Sequence, residues 1–118
     1  MSITRQEMRR LQNGSDVRGV AVEGIEGQPV TLTGEAANRI AQAFARWLSA
    51  KTRKPAEDLR ISVGHDSRIS APALKAEVLG GLRAQKAAAL DCGLASTPSM
   101  FMSVLFPETA CDGAIMIT

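Results

Sequence analysis

The sequence predicts an α/β protein: a three-layer α/β/α domain with a four-stranded, largely parallel or mixed sheet. Three observations predict it. Stretches with the two-residue period of a strand alternate with stretches of helical period along most of the chain. The apolar residues are mainly Ala, Leu, Ile and Val, with three Phe, one Trp and no Tyr, which suits an aliphatic core between helices and a sheet. Finally, 118 residues, 45% hydrophobic and 22% charged, suffice for one domain, residues 1–118, and leave no room for a second.

The elements follow in order. Thr4 and Glu7 have the spacing of a capping box, so a short helix is expected over about residues 4–11, with Met8 and Leu11 on one side. Gln12 to Asp16 are turn formers that break it. Val17 to Val22 reads as a strand and Gly24 to Pro29 as a loop. Thr33 is placed to cap the strongest helix, whose stripe of Ala37, Ile40, Ala41, Phe44, Trp47 and Leu48 is expected to face the core. Positive charge around Lys51 to Lys54 suits the end of that helix, and Pro55 stops it.

Leu59, Ile61 and Val63 then alternate with Arg60, Ser62 and Gly64 as a second strand. After the loop His65 to Ser70, Ser70 is positioned to cap a helix with Pro72 in its first turn and Leu74, Val78, Leu79 and Leu82 as its buried stripe. Ala87 to Cys92 is short and apolar, a third strand, and Gly93 to Ser96 a loop. Thr97-Pro98 is expected to open another helix, with Thr97 as its capping hydroxyl and Met100, Phe101, Val104 and Leu105 as its apolar side. Pro107 ends it, and Gly113 to Thr118 reads as the fourth strand.

Charge and cysteine content exclude several function classes. Fourteen basic and twelve acidic side chains are scattered along the chain, giving a net charge of +2, so no basic run is available to neutralise a nucleic-acid backbone. Aromatic platforms for base stacking are missing as well. Cys92 and Cys111 form no C-x-x-C pair and the chain has a single histidine, which argues against a zinc site. No apolar segment resembles a signal peptide or a membrane anchor, so a cytoplasmic protein with reduced thiols is expected, with no nucleic-acid or membrane partner.

Three polar loops lie at or beside strand ends, where ligands of open α/β sheets collect. Gly14 to Gly19, G-S-D-V-R-G, places a hydroxyl, a carboxylate and a guanidinium between two glycines, a set suited to an anion such as phosphate. An Asp16–Arg18 pair bracing a turn is the alternative. His65 to Arg68, H-D-S-R, invites a hydrolase reading, but adjacent loop residues rarely adopt triad geometry and no G-x-S-x-G elbow is present. There a loop-bracing Asp66–Arg68 pair and a solvated His65 are the alternatives. Ser96 to Ser99, S-T-P-S, is the third loop, and no nucleotide-binding fingerprint occurs anywhere.

Taken in order, N-G-S-D-V-R-G at Asn13 to Gly19, V-G-H-D-S-R at Val63 to Arg68, D-C-G-L-A-S-T-P at Asp91 to Pro98 and the final G-A-I-M-I-T resemble the first domain of the alpha-D-phosphohexomutases, the family of phosphoglucomutase and phosphomannomutase. The family's corresponding motifs are F-G-T-x-G-x-R-G, V-G-x-D-x-R, D-x-G-x-x-x-T-P and a strand running into T-A-S-H-N-P. The resemblance implies a parent enzyme that moves a phosphoryl group between the 1- and 6-positions of a hexose phosphate through a phosphoserine. The serine is expected just beyond Thr118, so no catalytic residue is expected within the chain, and the 118-residue fragment is expected to be inactive. A free-standing, non-catalytic module that binds a phosphorylated ligand or a protein partner is the competing expectation.

By the same resemblance, Ser15 and Arg18 match positions that line the cleft near the phosphoserine and are the candidate substrate and phosphate contacts. Asp66, Arg68 and Thr118 match supporting positions. The parent enzyme is expected to use Mg2+ with ligands in another domain; the fragment itself is expected to hold no metal or other cofactor. Its partners would be the remaining domains of the same polypeptide and, through them, a hexose phosphate, with self-association of the isolated fragment also expected. Four departures leave the sugar open: Ser15 stands for the usual threonine, Asn13 for phenylalanine, Val17 for a common glycine and His65 for a frequent arginine.

Overall fold

The computed structural model describes residues 3–13, 16–21, 30–107 and 110–118. Helix α1 spans Arg5–Arg9 and opens on the expected capping box, in which Thr4 Oγ1 accepts from the Glu7 amide while Glu7 Oε1 accepts from the Thr4 amide. Two short strands follow, β1 (Gln12–Asn13) and β2 (Asp16–Val17), paired antiparallel. The strand expected over Val17 to Val22 is thus reduced to Val17, in this ribbon rather than in the main sheet, and Val22 lies outside the described residues. Val20 instead pairs with the chain's return: its carbonyl accepts from the Thr31 and Leu32 amides, and its amide donates to Thr31 Oγ1.

Helix α2 (Gly34–Thr52) begins where Thr33 Oγ1 accepts from the Ala36 amide. It ends at Arg53, which takes up the left-handed conformation (φ 59°) that closes many helices. A single 3-10 turn, Ala56–Asp58, leads into β3 (Arg60–His65). Then come α3 (Ala71–Ala84), β4 (Ala88–Leu94), α4 (Thr97–Leu105) and β5 (Gly113–Ile117).

The main sheet has the order β4-β3-β5, with both neighbours parallel to β3. Parallel neighbours need crossovers, and α3 and α4 supply them. The predicted α/β/α architecture with a parallel sheet therefore holds, with three strands rather than four in the main sheet among the described residues.

Strand alternation divides the residues of β3 between two faces. Ile61 and Val63, both fully buried, join Ala37, Ala41, Ala45 and Leu48 of α2 and Val78 and Leu82 of α3 in one core cluster. Ser62 and Gly64 point the other way, onto α4. There Ser62 Oγ and Ser103 Oγ share a buried hydrogen bond of 2.7 Å, and a Cβ on Gly64 would lie 2.5 Å from Met100 Sδ.

Two expectations about side-chain placement are corrected. Trp47 is 57% exposed and stacks on Phe44 at 6.0 Å between ring centroids, because the buried line of α2 runs through its alanines. These alanines let the helices approach until a Cβ on Gly81 of α3 would sit 2.3 Å from the Asn38 carbonyl oxygen. On α4, only Met100 of the four expected apolar residues is buried, and Ser103 takes the other inward position. Phe101 and Leu105 are exposed, as is the adjoining Phe106.

Cap residues shift in two places. Ser96, not Thr97, caps α4, through a reciprocal bond with Ser99. Ser70 sits at the cap position of α3 without a side-chain bond. Between β3 and β4 the register slips at Val63/Gly64, and Gly93 opposite has φ 64°, a conformation glycine adopts without a Cβ penalty.

Candidate functional site

Parallel strands leave their carboxyl ends on one side of a sheet, and the loop following β3 begins there with Asp66. Its carboxylate gathers donors from two segments. Oδ1 accepts from the Arg68 amide at 3.0 Å and Oδ2 from Arg68 Nε at 3.0 Å, and Oδ2 also accepts from Thr118 Oγ1 at 2.8 Å. The Asp66 amide donates to the Ile117 carbonyl at 3.0 Å. Asp66, Arg68 and Thr118, separate in the sequence reading, are thus one hydrogen-bonded group joining the ends of β3 and β5. Donation from the Arg68 amide and then from Thr118 holds the Asp66 carboxyl below the usual aspartate range.

His65 is the last residue of β3 and not a loop residue. Its Nδ1 donates to the Asp66 carbonyl at 2.8 Å, and its own carbonyl accepts from the Ala95 amide. The imidazole is tied to the backbone, and the adjacent carboxylate is engaged with Arg68 and Thr118, so His65, Asp66 and Ser67 do not assemble as a base-nucleophile set.

Arg18 lies just after β2. Its amide donates to the Leu11 carbonyl and its guanidinium pairs with Asp16 at 3.5 Å, the turn-bracing pair weighed in the sequence. The Arg18 side chain is 70% exposed. Such a pair is worth at most about 1 kcal/mol, so the guanidinium can exchange it for a better anion. Ser15, the other candidate phosphate contact, lies outside the described residues. Among the described residues Arg18 makes its polar contacts with Leu11 and Asp16 and is not joined to the Asp66 group.

Sequence reasoning missed the polar work of Asp91 and Asp112. Asp91 accepts from the Gly93 amide and pairs with Lys75 at 3.1 Å, which together lower its carboxyl pKa. The signal was the D-x-G spacing of Asp91 and Gly93. Asp112 binds Lys54 Nζ and the Arg60 amide near the amino end of β3, a strand-anchoring role away from the candidate site. A groove of about 550 Å3 opens beside Ile69 and Ser70, but its walls include Ala21, Val30, Ala73 and Leu74, and the Glu77 carboxylate would repel phosphate. Among the described residues no group of three or more His, Cys, Asp or Glu side chains converges as a metal site, and no helix is long and apolar enough to cross a membrane.

Comparison with known proteins gives the family of the chain. The profile of the family described as phosphoglucomutase/phosphomannomutase, alpha/beta/alpha domain I, matches residues 9–118. The chain belongs to that family. This domain I is 34% identical over 111 residues to a phosphoglucosamine mutase of Clostridium acetobutylicum, covering 94% of the chain and 22% of the relative. A phosphoglucosamine mutase of Pediococcus pentosaceus is 33% identical over 106 residues, covering 89% and 21%. A probable phosphoglucosamine mutase of Methanopyrus kandleri is 33% identical over 87 residues, covering 74% and 17%. The domain I chain therefore spans about a fifth of the length of these curated relatives. No solved structure matches significantly.

Proposed function

We propose that this chain is the first domain of a phosphosugar mutase that shifts a phosphoryl group between the 1- and 6-positions of a hexose phosphate through a phosphoserine. The observation that carries this reading is the domain I match over residues 9–118. Hexosamine phosphates are the first substrates to try, because the relatives are named phosphoglucosamine mutases. The serine lies in the parent polypeptide after β5, and Mg2+ at the reacting phosphate would neutralise charge there. The described residues do not gather a donor set that fits the ion, so no step of the mechanism is assigned to it within this chain.

What this chain contributes is one wall of the cleft. Arg18 presents an exposed guanidinium to phosphate oxygens, giving up the weak Asp16 pair for a bidentate, charge-assisted one. Ser15 adds a hydroxyl donor to the same anion. Asp66, Arg68 and Thr118 keep the ends of β3 and β5 in order. The 118 residues alone have no turnover under this proposal.

A free-standing phosphate-binding module would leave the exposed Phe101 and Leu105 in water without a use. In the mutase reading that apolar surface meets the rest of the parent polypeptide, and the isolated domain self-associates through it. Location in the cytoplasm belongs to the same proposal. The test is conversion of glucosamine 1-phosphate to the 6-phosphate, assayed for the parent polypeptide and for the 118 residues alone. Turnover by the former only is expected; turnover by the short chain, or none by the long one with glucosamine, glucose or mannose 1-phosphate, sinks the proposal.

A further inference from the structure

We infer that Asp66 is a positioning residue that fixes the exit of the chain from β5, acting through the Thr118 hydroxyl. This rests on the mutase reading, in which the reacting serine follows β5. The ladder between β3 and β5 has His65 opposite Ile117 as its last residue pair, and the Asp66 amide on the Ile117 carbonyl is its final backbone bond. Beyond Ile117 the tie passes to a side chain: Thr118 Oγ1 donates to Asp66 Oδ2 at 2.8 Å.

Asp66 can bear that load because it is itself held. The Arg68 amide and Nε grip its two oxygens at 3.0 Å each, and its side chain is 27% exposed, against 67% for Arg68. With the Arg68 amide, Arg68 Nε and Thr118 Oγ1 all donating to it, the Asp66 carboxylate serves as an acceptor for fixed donors, and the Arg68 amide first among them lowers its pKa. Without the carboxylate the strand is released one residue earlier. One residue of strand is about 3.3 Å of chain, and a misplacement of about 1 Å at a reacting group costs on the order of a hundredfold in rate. A structural tie of this kind acts on the chemical step and leaves sugar binding alone.

The experiment uses the parent polypeptide carrying Asp66→Ala, Thr118→Val, Thr118→Ser or Asp66→Ala with Thr118→Val, assayed with glucosamine 1-phosphate. Asp66→Ala and Thr118→Val are each expected to lower kcat about tenfold or more with KM within about twofold. The double variant should be no worse than the worse single one, and Thr118→Ser should restore what Thr118→Val loses. Losses that multiply in the double variant, a Thr118→Val enzyme with normal kcat, or an effect confined to KM overturns the inference. Amide exchange at Asp66 and Ile117, measured in the same proteins, should quicken alike in both single variants. If the unaltered polypeptide has no mutase activity, the functional proposal falls on its own, and unchanged exchange in the variants then overturns the tie as well. Should Asp66→Ala fail to fold, the Thr118→Val and Thr118→Ser pair decides the matter.

Discussion

The two faces of the sheet are built on different tolerances. Behind Ile61 and Val63, helices α2 and α3 cross so closely that backbone meets backbone at Gly81 and Asn38. In front of Ser62 and Gly64, α4 rests on a hydroxyl pair and on the flexible thioether of Met100. Rigid atoms cannot yield and flexible ones can, so the first face specifies the fold while the second accommodates change. Stability should therefore depend on which face is altered.

The largest effect is expected from Leu82→Ala. Leu82 is fully buried in the α2/α3 core, and its truncation should cost about 2–5 kcal/mol by chemical unfolding. A loss below about 1 kcal/mol would show that this face collapses around cavities and would remove its distinction from the other. Next comes a neighbouring pair on α3. Gly81→Ala should destabilise by about 1–3 kcal/mol, since its Cβ would fall 2.3 Å from the Asn38 carbonyl oxygen and 2.9 Å from the Ala41 Cβ. That outweighs the helix-propensity gain of about 1 kcal/mol. Gly80→Ala, with nothing nearer than 3.4 Å, should keep the gain, so opposite signs one residue apart are the outcome that supports the close crossing.

On the α4 face the same change is milder. Gly64→Ala meets Met100 Sδ at 2.5 Å, which can swing away, and the Ala95 Cβ at 2.9 Å, which cannot. A cost of about 1 kcal/mol is therefore expected, below that of Gly81→Ala, where backbone also stands in the way. A cost equal to that of Gly81→Ala would erase the contrast. Replacing the exposed Phe101 or Leu105 by Ser should move stability of the isolated domain by less than about 0.5 kcal/mol while reducing its self-association in sedimentation.

Acid should test the ends of the strands instead of either face. The carboxyl pKa values of Asp66 and Asp91 are lowered in the folded protein, first by the Arg68 and Gly93 amides respectively, so the unfolded chain binds protons more readily. Their contribution is complete above the ordinary aspartate value of about 3.9 and is lost as pH falls through the lower folded values. The thermal midpoint should thus hold steady down to about pH 5 and then fall, and Thr118→Val should flatten that fall.

Local chemistry made most of the fold legible. The Thr4-Glu7 box, the Thr33 cap and Pro55 bound two helices because each acts within a turn or two of itself. The strands of the parallel sheet were visible as short apolar runs, although β4 reaches Leu94 instead of ending at Cys92. Helix faces were less legible. Trp47 and Phe101 looked inward on hydrophobicity, but depth is set by the partner surface, and at the Gly81 crossing α2 presents the small Ala41, with Leu48 the one large buried residue of that helix. The cap of α4 was misplaced by one hydroxyl, although Ser96 and Ser99 have the reciprocal spacing. At the candidate site the matching residues could be named one by one, whereas the bond between Asp66 and Thr118 spans 52 positions and leaves no local signal.

The slipped register beside Gly93 bears on solubility. Among the described residues β4 pairs only with β3, so no described strand takes up the amide and carbonyl groups of its other edge. Ala88 and Ala89 have little tendency to extend such a ladder, Asp91 places a charge along it, and the left-handed Gly93 breaks its regular spacing. A flat, valine-rich strand in this place would invite polymerisation from molecule to molecule. The irregularity thus makes β4 a poor template for strand addition along the edge that no described strand covers.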